Sequence, residues 1–462
     1  MKRILTGLLA LVLCIGTVFC AKAESLLMYQ SGPNEESEKH FKKGHPNVQL
    51  IQTDNEEHDY QTTAQFIGAL ITHTFVPDIF ALYSGFIDSK QVMAKGYCLD
   101  LSGSDIIRAE IEKMHPNIAS QVMVDGKIMA VPQGLWFELF VCDETVWEEA
   151  GFTKEDVPQT YPAFLDFLEG WVSRIANEPE ANIAINTMWD EVLYNEYRYA
   201  EWLIELLMEN YILQSQYAGE ALRFDENTLK PLIERAIEIG RELYHYDPAH
   251  KGTKQLFQEM SGFIWRGMPE GNALSFRLAE EQPNVIGASL RTIAANPAGQ
   301  NQTATIELLE SIILFPDESG RSFLYADAEP TRNPNFDDEL VHWQNMIERV
   351  QKKLADPKFD FGFDDYDDYT QKDWEVLLVR FERNLADVME REYSFSPEKL
   401  AEYKSFANAL YFAAPSIFLN TAEKEGREVR QMQARLAAGQ MSVEQFLSEM
   451  NRMAKVMEME AQ

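Results

Sequence analysis

Residues 124–140 read VDGKIMAVPQGLWFELF: an Asp-Gly turn, a proline at 132, and then a run from Leu135 that is apolar at every position except Glu138. A tryptophan in such a run, Trp136, either packs into a core or is displayed for something to lie against. The surrounding chain decides between the two.

At 462 residues the chain exceeds what one core readily fills, so two lobes or domains are expected. With 45% hydrophobic and 25% charged residues it has the proportions of a globular protein, neither a disordered tail nor a multispanning membrane protein. The first stretch stands apart. Lys2 and Arg3 precede an uncharged, mostly apolar run from Ile4 to Phe19, and Ala21, Lys22 and Ala23 close it. This is the pattern of a secretory signal peptide cleaved after Ala23 at an A-x-A site; the run is shorter than the roughly 20 apolar residues that span a bilayer. Cys20 follows the bulky Phe19, which disfavours lipidation there. Export to the periplasm or cell surface, without a lipid anchor, is expected.

The formal charge is −33, and cleavage removes only the basic groups Lys2, Arg3 and Lys22, leaving the exported chain more acidic still. Such a surface repels polyanions, which argues against nucleic acid or anionic lipid as the ligand. Beyond the leader only Cys98 and Cys142 remain, and one disulfide or two buried thiols are both open.

The exported part opens on LLMYQS (26–31), a polar helical stretch to Gly44, and HPNVQLIQTD: strand, helix, strand. A helix from about Thr62 to Thr74 and a breaker at Pro77 lead into DIFAL as a buried strand, which runs into Tyr83 and Ser84. Strands alternating with helices imply a parallel sheet covered on both faces, with a ligand crevice beyond the strand carboxyl ends. Gln30, Ser31, Tyr83 and Ser84 fall at such ends. From Val157 the pattern turns helical, with Thr160 as N-cap of YPAFLDFLEGWVSRI. A short strand, NIAIN (182–186), leads to Trp189 and Asp190 just past its end. A helix over Thr303–Leu314 and a mostly helical remainder follow, with Ser396-Pro397 as a helix start, Gly439 as a stop and Ser442 with Gln445 as a capping box.

Catalytic constellations are scarce. No HExxH, G-x-S-x-G, Walker or dinucleotide glycine motif occurs. The stretch FDDYDDYTQKDWE spaces Asp364 and Glu375 as in a calcium loop, but Tyr366 and Tyr369 stand where an oxygen ligand and a glycine are needed, so no metal site is expected. A secreted glycosidase needs only a correctly separated Asp/Glu pair and stays open as a lesser reading.

In order along the chain, VDGKIMAVPQG, LFVCDETVWEEAGF and VPQTYPAFLDFL resemble a segment of the extracellular solute-binding proteins of ABC importers, the carbohydrate-binding cluster that is maltose-binding-protein-like. FKKGHPNVQL, VPDIFAL, GYCLDLS, IAANPAGQNQTATIELLESII and the tail LAAGQMSVEQFLSEMNRMAKVMEME agree with the same family in the same order. The resemblance implies an α/β, two-lobed periplasmic-binding-protein-like fold of type II, with parallel-type sheets flanked by helices and a helical C-terminal part. With the signal peptide over 1–23 set apart, it implies an N-terminal lobe of 24–138 plus about 285–335 and a C-terminal lobe of 139–284 plus about 336–462. It also implies no enzyme activity and no cofactor: a monomer that captures a sugar or oligosaccharide by hinge closure and delivers it to the transmembrane subunits of an ABC permease. The same fold also accommodates a peptide, a polyamine or another metabolite. The chain departs from the family where Met129 and Ala130 replace a Tyr-Gly pair, where Asp143, Glu144 and Thr145 replace Asn-Lys-Asp, and before residue 270, where FIWRGMPEG stands near an unrecognisable Gly-Lys-Ala-Ala-Met element.

A sugar has hydroxyls at its rim and C–H patches on its faces, so it is matched by polar side chains in plane and aromatic plates above and below. By the resemblance, Trp136 lies in the strand that leaves the first lobe and faces the cleft. Trp189, Asp190 and Trp265 are the second-lobe candidates, while Tyr83, Ser84, Ser31, Gln30 and Gln133 supply polar groups. Each has a plainer reading as core or hinge packing. Trp171, Trp202 and Trp343 sit at helical spacing among apolar residues and read as core.

Overall fold

Ser25–Tyr29 forms a strand, β1, whose Leu26, Met28 and Tyr29 are all buried, as a parallel sheet covered on both faces requires. Asn34 then caps the helix Glu35–Gly44 (α1): its Oδ1 accepts from Ser37 N at 2.9 Å, Glu35, Glu36 and Glu38 occupy the first turn, and Lys42 and Lys43 the last, matching the helix dipole. The chain continues through β2 (Gln49–Thr53), α2 (Thr63–Thr72), β3 (Ile79–Tyr83), β4 (Val131–Cys142), α3 (Tyr161–Ile175), α4 (Arg198–Tyr217), α5 (Glu226–Tyr246), β5 (Phe257–Ser261), β6 (Asn272–Leu274), β7 (Ile286–Ala295), α6 (Gln302–Leu314), α7 (Phe336–Ala355), α8 (Gln371–Glu390), α9 (Pro397–Phe406), β8 (Leu410–Tyr411), α10 (Lys424–Ala437) and α11 (Val443–Glu460). This computed structural model describes residues 25–460 apart from 54–62, 85–87, 178–181, 187–194, 248–253, 263–271, 275, 334, 363–368, 391, 394, 414–417 and 419–423.

The local signals hold where the backbone needs them. Thr160 Oγ1 accepts from Ala163 N at 3.2 Å, Ser396 Oγ accepts from Lys399 N at 3.2 Å, and Ser442 and Gln445 cap one another reciprocally at 3.1 and 3.2 Å. Gly439 takes φ +70° beyond α10, the left-handed turn that ends a helix at lowest cost on glycine. Ahead of β4, Asp125 and Gly126 both have positive φ, 50° and 76°, between the paired strands Met123–Val124 and Lys127–Ile128. That is the two-residue hairpin turn an Asp-Gly pair favours.

An eight-stranded sheet runs in the order β6-β4-β7-β3-β1-β2, with β5 added to β4 and β8 to β7. β1 lies parallel to β2 and β3, as the strand-helix alternation implies. The sheet is nonetheless mixed: β7 inserts between β3 and β4 and runs antiparallel to both. β7 comes after the short strands β5 and β6, both antiparallel to β4, and not after a right-handed βαβ crossover, so nothing in its connection imposes the parallel sense.

Three apolar cores result. The first takes side chains from Leu26 to Val141, from Ile286 to Ala328, and from Phe395 to Phe412. The second takes Phe140 to Phe276 and Phe418 to Ala454. A small third core lies between α7 and α8, built on Met346, Val350, Phe361, Trp374, Leu377 and Phe381. The C-terminal part is therefore not all of one body. α9 and β8 return to the first core because β8 pairs parallel with Ile286 and Gly287 of β7 and the buried Tyr403 donates its hydroxyl to Phe323 O at 2.6 Å. Trp171 and Trp202 are buried in the second core, as helical spacing implied, and Trp343 packs on the third.

Candidate functional site

β4 belongs to both large cores. Leu135, Phe137, Leu139 and Val141 on its odd face enter the first core, while Phe140 and Cys142 on its even face enter the second. Between Gly134 and Phe140 the even face has no core to enter. Trp136 and Glu138 stand there, both exposed, and Trp136 keeps 59% of its surface open to water. A strand whose two faces serve different cores must leave such a gap where it passes from one to the other. An exposed tryptophan is uncommon enough to be informative.

Strand register identifies what shares this face, because directly opposed residues of an antiparallel pair project to the same side. Ser289 opposes Trp136, Arg291 opposes Gly134, Ser261 opposes Glu138 and Glu259 opposes Phe140. The register of β4 on β7 slips by one residue between Arg291 and Thr292, so that Gln133 is left without an opposite number. Such a bulge turns a side chain away from its regular direction. Gln133 Nε2 donates to Gly32 O at 3.1 Å, and Arg291 Nη2 donates to Gln30 O at 2.7 Å. The end of β1 is thereby brought against the start of β4. Gln30 itself adopts φ +51°, a left-handed conformation that costs a non-glycine residue roughly 1 kcal/mol.

The second-core side of the face is acidic. α4 contributes Glu205 and Glu209, β5 Glu259 and β4 Glu138. Arg198 Nη1 meets Glu205 Oε2 at 3.1 Å, Arg430 Nε meets Glu205 Oε1 at 3.4 Å, and Trp202 Nε1 donates to Glu259. Glu209 retains accessible surface, yet protein crowds its carboxyl. Desolvation first, then the like charges of Glu259, Glu205 and Glu138, push its pKa up to about 7 against a partial offset from Arg430. Desolvation and the same neighbouring carboxylates push Glu259 up as well, while the Trp202 hydrogen bond opposes this.

Of the residues singled out from sequence, Gln133, Gln30 and Ser31 meet where the end of β1 lies against the start of β4, and Trp136 stands three residues further along β4. Tyr83 joins them through Arg291, whose guanidinium lies over its ring at 5.3 Å. Ser84 is drawn into the sheet: its Oγ accepts from Leu290 N at 2.8 Å and its N–H donates to Leu290 O at 3.1 Å. Trp189, Asp190 and Trp265 lie outside the described residues. Sequence reading missed Arg291, Ser289, Glu259 and Glu209. The alternation Gly287, Ser289, Arg291 against Ala288, Leu290, Thr292 was the signal for the β7 face; nothing in the sequence of α4 marks Glu209 apart from its other acids. Cys98 and Cys142 are free and buried in different cores, which excludes a bond between them, and burial pushes both thiols up to about 12. Among the described residues no group of three or more metal-ligating side chains is found, and no helix is long and apolar enough to cross a membrane.

No protein-family model and no curated protein sequence matches the chain. Solved structures do match. A sugar transporter protein of Rhizobium etli in an open conformation is 15% identical, covers 94% of this chain and 99% of its own, and superposes with a TM-score of 0.51. A protein from work on xylan utilization by Caldanaerobius polysaccharolyticus is 14% identical over 93% of this chain and 99% of its own, with a TM-score of 0.48. An ABC substrate-binding protein of Listeria monocytogenes in complex with cycloalternan is 11% identical over 94% and 99%, with a TM-score of 0.47. The Rhizobium likeness, end to end on both chains, shows the fold: the chain has the two-lobed, periplasmic-binding-protein-like architecture that its sequence implies.

Proposed function

We propose that this protein is the extracytoplasmic substrate-binding component of an ABC importer. It captures a sugar or oligosaccharide between its two lobes and presents the closed, loaded form to the transmembrane subunits of a permease. The observation that carries this reading is Trp136, 59% exposed on the strand that passes from one core to the other. Its ring is the plate a pyranose face stacks on, and Ser289 and the exposed Glu138 share its side of the sheet to meet hydroxyls, while Ser31 and the amide oxygen of Gln133 are buried at the end of that face. The fold shared with the Rhizobium protein, which is described as a sugar transporter, supports the reading.

Closure requires no chemistry. A solute that touches one lobe in the open form and both in the closed form shifts the hinge equilibrium by the difference between those contacts. The lobes we propose meet at β4 and β7: residues 24–138 with about 285–335 in one, 139–284 with most of the chain beyond 336 in the other, α9 and β8 rejoining the first. The protein acts as a monomer, exported by the leader over 1–23, and uses no cofactor.

One observation favours a second reading. Glu138, Glu205, Glu209 and Glu259 outnumber Arg198 and Arg430 on the second wall, so an amine-bearing solute such as a polyamine would find charge complementarity there. A thermal-shift screen with neutral oligosaccharides, spermidine and short peptides separates the readings. A solute present at about 100 times its Kd raises stability by about 2.7 kcal/mol. A neutral sugar that raises Tm and is recovered unchanged supports import of that sugar; a response to spermidine alone favours the second reading; cleavage of the glycan would make the protein a hydrolase instead.

A further inference from the structure

Seven buried side-chain polar atoms among the described residues have no hydrogen-bond partner, and three of them, Ser31 Oγ, Gln133 Oε1 and Arg291 Nε, belong to residues brought together at one end of the exposed face. Unsatisfied buried groups are costly and few in most folds. Their concentration here coincides with two other irregularities: the bulge that frees Gln133 from the ladder and the positive φ of Gln30.

We infer that Arg291 and Gln133 are positioning residues that clamp the segment Gln30–Gly32 and thereby fix Ser31 beside the Trp136 face. The two carbonyls that flank Ser31 are held one by each: Gln30 O by Arg291 Nη2 at 2.7 Å, Gly32 O by Gln133 Nε2 at 3.1 Å. Arg291 is held in turn over the Tyr83 ring, a cation–π contact that strengthens as the cation is desolvated. The bulge that frees Gln133 is confined by its surroundings: a Cβ on Gly320, in the helix Glu318–Leu324, would come to 3.0 Å from Gln133 O. The left-handed Gln30 persists only while both ends of the segment are tied.

The clamp has a consequence for the binding cycle. Gln133 comes from β4, which continues into the second core, and Arg291 from β7, whose Gly287 lies against Leu213 of α4. Bending of either strand during closure is felt directly at Ser31, whose hydroxyl is unpartnered in this state and whose residue is 1% exposed. The clamp therefore ties the polar groups of the first wall to the hinge instead of leaving them to a free loop. This functional half rests on the reading of the Trp136 face as the ligand site.

Hydrogen exchange on the ligand-free protein, expressed from residue 24, tests the clamp without any ligand. In Arg291→Met and in Gln133→Met the peptide spanning residues 26–34 should exchange about tenfold faster or more, while the peptide over α6 keeps its wild-type protection. Arg291→Lys, which retains one donor and the charge, should recover much of that protection, a rescue that loss of packing alone would not give. If Arg291→Met does not fold, Gln133→Met and Arg291→Lys decide the matter. Unchanged exchange at 26–34 in the Met variants, or no rescue by Lys, would overturn the clamp. Titration with maltotriose, xylotriose and raffinose then tests its use: a trisaccharide that binds the wild type should bind the Met variants about tenfold more weakly, and equal affinity despite faster exchange overturns the link to binding. Failure of the wild type to bind any of the three counts against the sugar reading, and the exchange rates alone then decide whether the clamp exists.

Discussion

Replacing Trp136 by Ala separates display from packing. With 59% of the side chain open and an aromatic side chain offering roughly 200 Å², a sugar laid over the open part covers at most about 120 Å², or about 3 kcal/mol at about 25 cal/mol per Å². A pyranose covers one face of the ring and not both, which brings the loss to about 1.5 kcal/mol, and lost C–H stacking adds to it. Affinity for an oligosaccharide that binds at this face should therefore fall by about 10- to 100-fold. Stability should change by less than about 0.5 kcal/mol, because an exposed side chain leaves no cavity behind. Isothermal titration of both proteins with the best-binding oligosaccharide, alongside thermal unfolding without ligand, measures the two effects separately. Unchanged affinity with a Tm several degrees lower would show that the indole serves the hinge and not the ligand.

The same glycine-to-alanine change should have opposite signs at two helical sites. At Gly240 in α5 a Cβ would lie 2.4 Å from Ala200 N and 2.5 Å from Ala200 Cα of α4, so Gly240→Ala must push two buried helices apart and should lower Tm by about 4–10 °C. At Gly170 in α3 a Cβ meets nothing within 4 Å, and Gly170→Ala should stabilise by up to about 1 kcal/mol through helix propensity. Glu209 sets a pH dependence. Its folded pKa, raised to about 7 from an ordinary 4.5 by desolvation and by Glu259, Glu205 and Glu138, means that the folded state holds a proton the unfolded chain has released, so this group's contribution to stability falls as pH rises from about 4.5 to about 7 and is level beyond. Glu209→Gln should raise Tm at pH 8, and the gain should vanish near pH 4.5; a gain that is the same at both ends would refute the assignment. Cys98 and Cys142 should resist thiol reagents in the native protein expressed from residue 24 and react fully in denaturant, since both are buried with thiol pKa values near 12.

What could be read from the sequence was what local chemistry controls. Thr160, Ser396 and Ser442 mark helix starts because each places its own side chain on an amide three residues on, and the Asp125-Gly126 turn is written in two adjacent residues. Trp136 could be picked out because Glu138 interrupts the apolar run beside it and because the neighbouring motifs resemble a family. Arg291 and the part played by Gln133 could not be picked out. Their roles depend on a one-residue slip between strands more than 150 positions apart in the chain, and no local propensity encodes register at that range. The mixed sheet escaped for the same reason: apolar strands of β1, β3 and β7 look alike, and direction is set by the connection. Glu209 differs from its acidic neighbours on α4 only in what folds against it.

The most direct measurement is the structure of the complex with whichever oligosaccharide raises Tm most. The expected result is a sugar ring stacked on Trp136 between the two lobes, with Ser289 or Glu138 within hydrogen-bond reach of a hydroxyl. A sugar bound elsewhere, with the Trp136 ring still bare to water, would contradict it.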